Sequence, residues 1–336
     1  MRPPWYFVLP ADRDRPSGGN RYNEQLIKAL PRAGQPVAVI DFRAYQRARQ
    51  HGTAGCYWVD SLFVQDLAGL DESRPKDLQT VFILHHLASM DASSDEEQAA
   101  RWKEEQIAFQ RVDVFLVTST FSREYLRAQG VNQPIMVVEP GMGTVLSPDR
   151  PTDEVSALMV ANLVVRKGIL AWLEALAEVI APADAFTLTI VGRTDLEPLY
   201  AEACQRSIAQ QSVLCSRVCF TGPLSYHEVE EYYRRSHLFV SAARLETFGM
   251  ALQEAKAHRI PLLTLAGGYA ERHVRSETDG YVFRSPADMA YFFVDLVRNP
   301  TRLRSWQNAL HAQPYPTQPS WNRAAHQLIK QFNQGR

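Results

Sequence analysis

The chain reads as an α/β protein made of two doubly wound, Rossmann-like parallel sheets. Short β-branched apolar runs alternate with longer amphipathic stretches, the pattern of strand-helix-strand units. The 336-residue length exceeds what one hydrophobic core usually serves. A proline- and glycine-rich break lies near the middle, so each half has its own set of strands.

In the first half the candidate strands are Trp5 to Leu9, Val37 to Asp41, Thr80 to Leu84, Val114 to Thr118 and Ile135 to Glu139. From Pro140 to Pro151, residues Pro140, Gly141, Gly143, Ser147 and Pro148 break both periodicities, as a hinge between domains would. The second set runs Ala157 to Ala161, Phe186 to Val191, Val218 to Thr221, Leu238 to Ser241, Pro261 to Thr264 and Gly280 to Phe283. Helical spacing marks Ile169 to Ile180 and Tyr226 to Ser236. After Pro300 the chain is polar and helical, with Trp306, Trp321 and Leu328 among charges and Pro314, Pro316 and Pro319 interrupting it. The division expected is 1–143, 144–312 and a terminal segment 313–336.

Apolar residues at 46% and charged residues at 22% are ordinary globular usage, which argues against a disordered segment. With 36 basic and 37 acidic side chains, the global field gives no reason to expect a nucleic-acid partner. Cys56, Cys204, Cys215 and Cys219 show no Cys-x-x-Cys spacing and read as buried structural thiols in a reducing compartment. No window reaches the ~18–20 apolar residues of a membrane span, and residues 1–10 lack the features of a signal peptide. A cytoplasmic location is the expectation.

In open α/β sheets ligands bind beyond the carboxyl ends of the strands, and four such places carry candidate chemistry. Ser17-Gly18-Gly19-Asn20 follows the first strand and precedes a helix starting near Arg21, so backbone N–H groups there can approach a phosphate. A tight turn would look the same, and this is not the Gly-x-Gly-x-x-Gly fingerprint. His85-His86 ends the strand Thr80 to Leu84. Either imidazole can bond a sugar hydroxyl, but adjacent side chains on extended backbone point opposite ways. His85 is preferred, and the choice stays open.

Arg166-Lys167-Gly168 places two cations and a glycine at a helix start, a diphosphate clamp or a solvated basic turn. The run Glu246-Thr247-Phe248-Gly249-Met250-Ala251-Leu252-Gln253-Glu254 is the most informative. One carboxylate can reach a sugar and the other a ribose, with free helix N–H groups near Gly249 and Met250 between them.

These residues resemble the family-four glycosyltransferases, the retaining group of the GT-B fold that uses nucleotide-sugar donors. The family's paired-glutamate motif is similar to Glu246 through Glu254. Its glycine loop resembles Ser17-Gly18-Gly19, and the end of its first domain Pro140-Gly141. Its phosphate turn resembles Val165 through Ile169, its base-facing strand end Val191-Gly192 with Arg193 following, and the segment after its glutamates Pro261 through Glu271. The similarity covers nearly the whole chain and is strongest over 157–283.

The resemblance implies two sheets facing a central cleft and a terminal helix packing back on the first domain. It also implies a UDP- or GDP-sugar donor, a glycan, lipid-linked or small-molecule acceptor, and transfer of a hexosyl-type sugar with retention. Lys167 would hold the diphosphate, Glu246 the transferred sugar and Glu254 the ribose. Gly19 would close near the phosphates, and His85 would lie near the sugar. Where the family usually carries arginine, five residues before the lysine, this chain has Asn162. Arg166 then has to supply that charge, or the phosphate grip is weaker.

No Asp-x-Asp pair follows a strand as a metal site would require, so no metal and no cofactor is expected. Arg43, Arg47, Arg49 and His51 form one basic run and Arg123 and Arg127 another. Such runs are more often solvated helix faces, and the other reading is peripheral contact with an anionic membrane or lipid carrier. The rival functions are a non-catalytic nucleotide-sugar binder of the same fold and another enzyme on doubly wound sheets. An epimerase is one such enzyme; a nicotinamide oxidoreductase is disfavoured by the missing fingerprint.

Overall fold

The computed structural model describes residues 3–13, 15–71, 75–143, 145, 149, 154–313 and 319–334. The part of the expected hinge that includes Ser147, Pro148 and Pro151 lies outside them, as do Pro314 and Pro316. The chain separates into two compact units, one comprising 1–15, 19–143 and 319–336 and the other 16–18 and 144–318.

The first unit holds a parallel six-stranded sheet. Its strands are β1 (Trp5–Val8), β2 (Val37–Ile40), β3 (Gly55–Asp60), β4 (Leu78–Leu84), β5 (Val114–Val117) and β6 (Ile135–Val137). The spatial order is β2-β1-β3-β4-β5-β6, so chain direction across the sheet reverses between β1 and β3. Five strands were expected here, and β3 is the correction. Its Gly-Cys-Tyr-Trp-Val-Asp sequence has one β-branched residue and is fixed by tertiary packing instead. Trp58 is fully buried, stacking on Phe7 at 5.7 Å and lying 5.4 Å from Phe332 of the terminal helix Trp321–Gln334. That helix is seated on the first unit, where the backbone of Gly141 passes it so closely that a Cβ would lie 2.3 Å from the Trp321 nitrogen.

The second unit holds β7 (Val155–Val160), β8 (Phe186–Val191), β9 (Val218–Gly222), β10 (Leu238–Ser241), β11 (Leu262–Leu265) and β12 (Gly280–Phe283). All are parallel, in the order β12-β11-β10-β7-β8-β9. The reversal falls between β7 and β10, the place in an open parallel sheet where ligands bind beyond the strand ends. The helix Ile169–Val179 covers one face with Ile169, Trp172, Leu173 and Leu176, the apolar stripe its spacing predicts. Trp172 and Phe186 both meet Phe293 edge-on, at 5.6 and 5.2 Å. Burying each such ring contributes about 1.5–3 kcal/mol.

Two sequence expectations need correction beyond β3. Gly18 and Gly19 do not form a loop before the helix; they are its first turn, Gly18–Ala29. Cys56 and Cys204 are buried thiols outside any disulfide, as expected, but Cys215 and Cys219 are exposed, because they sit on a short helix and on the sheet-edge strand β9. Among the described residues, no helix is long and apolar enough to cross a membrane.

Candidate nucleotide-sugar site

The reversal between β7 and β10 brings two sequence candidates together. After β7 the chain forms a tight turn at Val165–Lys167, and Gly168 follows with φ 61°. A Cβ on Gly168 would stand 2.2 Å from the Ala242 carbonyl oxygen in the loop after β10, so only glycine permits this approach. The Arg244 N–H donates to the Arg166 carbonyl at 3.0 Å and joins the two loops. Lys167 Nζ thereby reaches Glu246 Oε1 at 2.5 Å, both side chains being about one-seventh exposed at 14% and 13%. Burial, the largest single influence, opposes ionisation of Glu246, and the Lys167 ammonium and its hydrogen bond act against it. With Arg166 and His273 adding to the effect, the carboxyl is held below the usual carboxylate range.

The Glu246 loop is clamped from β11's side. Glu246 N–H donates to Gly267 O at 3.3 Å, and Tyr269 N–H donates to Glu246 O at 2.7 Å. His273 Nε2 donates to the Phe248 carbonyl at 2.6 Å, and the buried Phe248 ring stacks on Tyr269 at 5.2 Å. Thr247 and Phe248 thus lie in a fixed turn. Gly249, with φ 87°, caps the helix Met250–Ala257 without a side-chain hydrogen bond, and a Cβ there would stand 3.6 Å from Glu246 Cβ, so the helix's first turn begins beside Glu246.

Glu254 sits on that helix and is 5% exposed, its Oε2 accepting from Tyr233 Oη at 3.0 Å. At the end of β8, Gly192 passes Ala161 so closely that a Cβ would meet its carbonyl oxygen at 2.0 Å. Asn162 Oδ1 accepts the Arg193 N–H at 3.0 Å, tying the end of β7 to the end of β8. The Arg193 guanidinium is engaged by Asp195 through two bonds of 2.9 and 2.8 Å. Asn162 therefore braces a loop, while Arg166 and Lys167 supply the cations beside Glu246.

In the first unit the two histidines diverge. His85 lies against the helix Gly18–Ala29, where a Cβ on Gly19 would stand 2.9 Å from its ring, and Tyr22 meets that ring edge-on. His86 Nε2 is instead 2.6 Å from Asp91 Oδ2. Sequence reasoning missed Asp60, which ends β3, is fully buried and lies 3.4 Å from His85 Nε2. It also missed Tyr233 and His273. Asp60 was readable only if β3 was, and nothing in local spacing marks the other two.

Residues 147–308 match the family model described as Glycosyl transferases group 1. The D-inositol 3-phosphate glycosyltransferase of Rhodococcus opacus is 25% identical over 271 residues, covering 75% of this chain and 60% of that protein. The chain thus spans about three-fifths of the length of that curated relative. Sucrose-phosphate synthase from Thermosynechococcus elongatus superposes with a TM-score of 0.77 at 19% identity, covering 99% of each chain. Anabaena HepE in complex with UDP and glucose gives 0.74 at 14% identity, covering 98% of this chain and 99% of that one. The fold is that of the GT-B glycosyltransferases.

Proposed function

Since residues 147–308 belong to glycosyl transferases group 1, we propose that the protein is a retaining glycosyltransferase. It takes a hexosyl-type sugar from a UDP- or GDP-sugar and passes it to a glycan, lipid-linked or small-molecule acceptor. One observation carries this reading: the cationic turn and the glutamate loop converge at the sheet's reversal point, with Lys167 on Glu246 beside an open helix N-terminus. In this assignment Lys167 and Arg166, with the N–H groups near Gly249 and Met250, hold the diphosphate. Glu246 meets the transferred sugar, Glu254 the ribose, and the β8 end at Gly192 and Arg193 the base. Gly18 and Gly19 open a helix N-terminus suited to phosphate, and His85 of the first unit is assigned to a sugar hydroxyl.

The bond from the anomeric carbon to the phosphate oxygen breaks as the acceptor oxygen attacks the same face, and the departing phosphate takes the acceptor's proton. The protein stabilises the leaving charge and positions the reactants. The cationic turn supplies the neutralisation that a metal ion gives elsewhere, so the reaction is assigned no metal and no cofactor. In this reading the protein works on the cytoplasmic side, with Arg43 and Arg47 on one helix and Arg123 and Arg127 on another exposed to an anionic carrier. Arg49, by contrast, is buried and donates to the Asp71 carbonyl.

Thermal stability across a panel of nucleoside diphosphates and their sugars tests the assignment. A ligand at a hundred times its Kd stabilises by about 2.7 kcal/mol. A shift with one nucleotide that disappears in Lys167→Ala and Glu254→Ala supports the site, and no shift with any nucleotide rejects it. Asn162 favours a second reading, a nucleotide-sugar binder without chemistry, because its side chain serves a structural bond. Hydrolysis of the bound donor by purified protein would exclude that reading.

A further inference from the structure

At the reversal point of the first sheet, between β1 and β3, a buried polar relay stands that the assignment above does not use. Asp60 at the end of β3 is fully buried, so its charge must be met by donors. Its Oδ1 accepts the Leu62 N–H at 2.8 Å. Its Oδ2 accepts from Asn23 Nδ2 at 2.5 Å, on the helix Gly18–Ala29, and lies 3.4 Å from His85 Nε2. Burial alone would push this carboxyl up, yet His85, the Leu62 N–H and Asn23 together hold it below its usual range. It is an anion inside the unit.

That charge dictates the rest by elimination of donors and acceptors. Asn23 is 2% exposed, and an ionised carboxylate only accepts, so the Asn23 amide must turn its nitrogen towards Asp60. Its oxygen is then left 3.1 Å from His85 Nε2. Nε2 therefore faces two oxygens that can only accept, and must itself carry a hydrogen. His85 N–H donates to Ser61 Oγ at 3.2 Å, and the ring is wedged between Tyr22 and the backbone of Gly19. Turning the ring over would carry Nε2 away from both Asn23 Oδ1 and Asp60 Oδ2. Among the described residues the side-chain hydrogen bonding of His85 is through Nε2, and the side chain is 15% exposed, which leaves Nδ1 to solvent.

We propose that Asp60, acting through Asn23, is a positioning residue that fixes His85 in its Nε2–H form and leaves Nδ1 as the nitrogen offered to a substrate hydroxyl. In the neutral ring Nδ1 is an acceptor. The imidazole then receives a hydrogen bond from a sugar hydroxyl and orients its oxygen, rather than donating to it. Asp60 and Asn23 touch no substrate. The catalytic consequence rests on the transferase assignment, whereas the tautomer does not.

Histidine tautomers are read directly by long-range proton–nitrogen correlation in the full chain labelled with 15N-histidine, with His85 identified by its loss in His85→Gln. At a pH where the ring carries a single proton, wild type is expected to show Nε2 protonated and Nδ1 bare. A bare Nε2 overturns the proposal, and this measurement needs no variant to fold. In Asp60→Asn the new amide must still accept the Leu62 N–H, so it turns its nitrogen to Asn23. Asn23 flips, its own nitrogen faces His85, and the ring is expected to switch to the Nδ1–H form. A ring that keeps Nε2–H in this variant refutes the relay.

The kinetic readout is turnover of UDP-glucose or GDP-mannose, whichever the stability panel selects. Asp60→Asn is expected to lower kcat about tenfold, the worth of one hydrogen bond, with KM for the donor within about twofold. A switched tautomer with unchanged kcat refutes the positioning role. Because the spectrum of ligand-free protein decides the relay by itself, failure of the transferase assignment would be seen separately, as absence of turnover in wild type.

Discussion

Replacing Lys167 by Met tests whether Lys167 and Glu246 form one electrostatic unit, as their 2.5 Å contact implies. Removing one partner of a buried ion pair costs about 3–5 kcal/mol, against about 0–1 kcal/mol at the surface. With side chains 14% and 13% exposed, the pair lies between these limits, and we expect about 2 kcal/mol at neutral pH. For a unit of this size that is about 4–8 °C in Tm.

The sign of the pH dependence follows from Glu246. Its folded pKa is depressed below the ordinary 4.5, so its contribution is present above that value and drains away as pH falls through the folded one. Without Lys167, burial dominates and the carboxyl moves up instead, so acidification through the weakly acidic range relieves the variant. The difference in Tm between wild type and Lys167→Met should thus be widest near neutrality and shrink in acid. Glu246→Gln, which removes the carboxylate charge from the lysine, should tighten a nucleoside diphosphate by about fivefold, or about 1 kcal/mol, while lowering turnover of its sugar. In the double variant the two stability losses should fall well short of additive. Equal Tm differences at every pH, or strict additivity, would refute the coupled pair.

Three further outcomes follow from single contacts. Tyr233→Phe removes the hydroxyl that donates to Glu254 Oε2 and should raise the KM for donor about five- to tenfold, the worth of one hydrogen bond, with little change in kcat. Gly192→Ala forces a Cβ to 2.0 Å from the Ala161 carbonyl, and urea unfolding should show a loss of more than about 2 kcal/mol, since the clash is with backbone and cannot relax by a rotamer change. Turnover in excess chelator should equal turnover in magnesium or manganese; activity that vanishes and returns with Mn²⁺ would assign the neutralising charge to a metal instead of Arg166 and Lys167.

The second sheet was legible because each of its strands announces itself by composition. Leu238 to Ser241 is a short apolar run buried on both faces, as a central parallel strand has to be, whereas Phe186 to Val191 sets exposed Thr187 and half-buried Thr189 between buried apolar residues. The chemistry at their ends was legible for a different reason. Residues placed immediately after a strand, such as Arg166, Lys167 and Glu246, sit where the fold puts ligands whatever the loops then do. Local order and local chemistry agree there, so sequence neighbours predict spatial neighbours.

The relay in the first unit breaks that agreement. Asp60 was hidden because Gly55–Asp60 owes its strand conformation to Trp58, packed by Trp5 and Phe7 and by Phe332 from the far end of the chain. No window of local sequence contains those partners. Asn23 was hidden because it lies on an amphipathic helix among Tyr22 and Leu26, where a small amide looks like one more core-facing exception. His273 joins Phe248 across 25 residues in the same way. In each case the residue acts on a functional neighbour through a single hydrogen bond to a buried group, and a buried polar atom is costly unless paired. The practical rule is to search from the buried acceptor outward: given His85, the question is what pairs its buried nitrogen. That question leads first to Asn23 and then to Asp60, neither of which is adjacent to it in sequence.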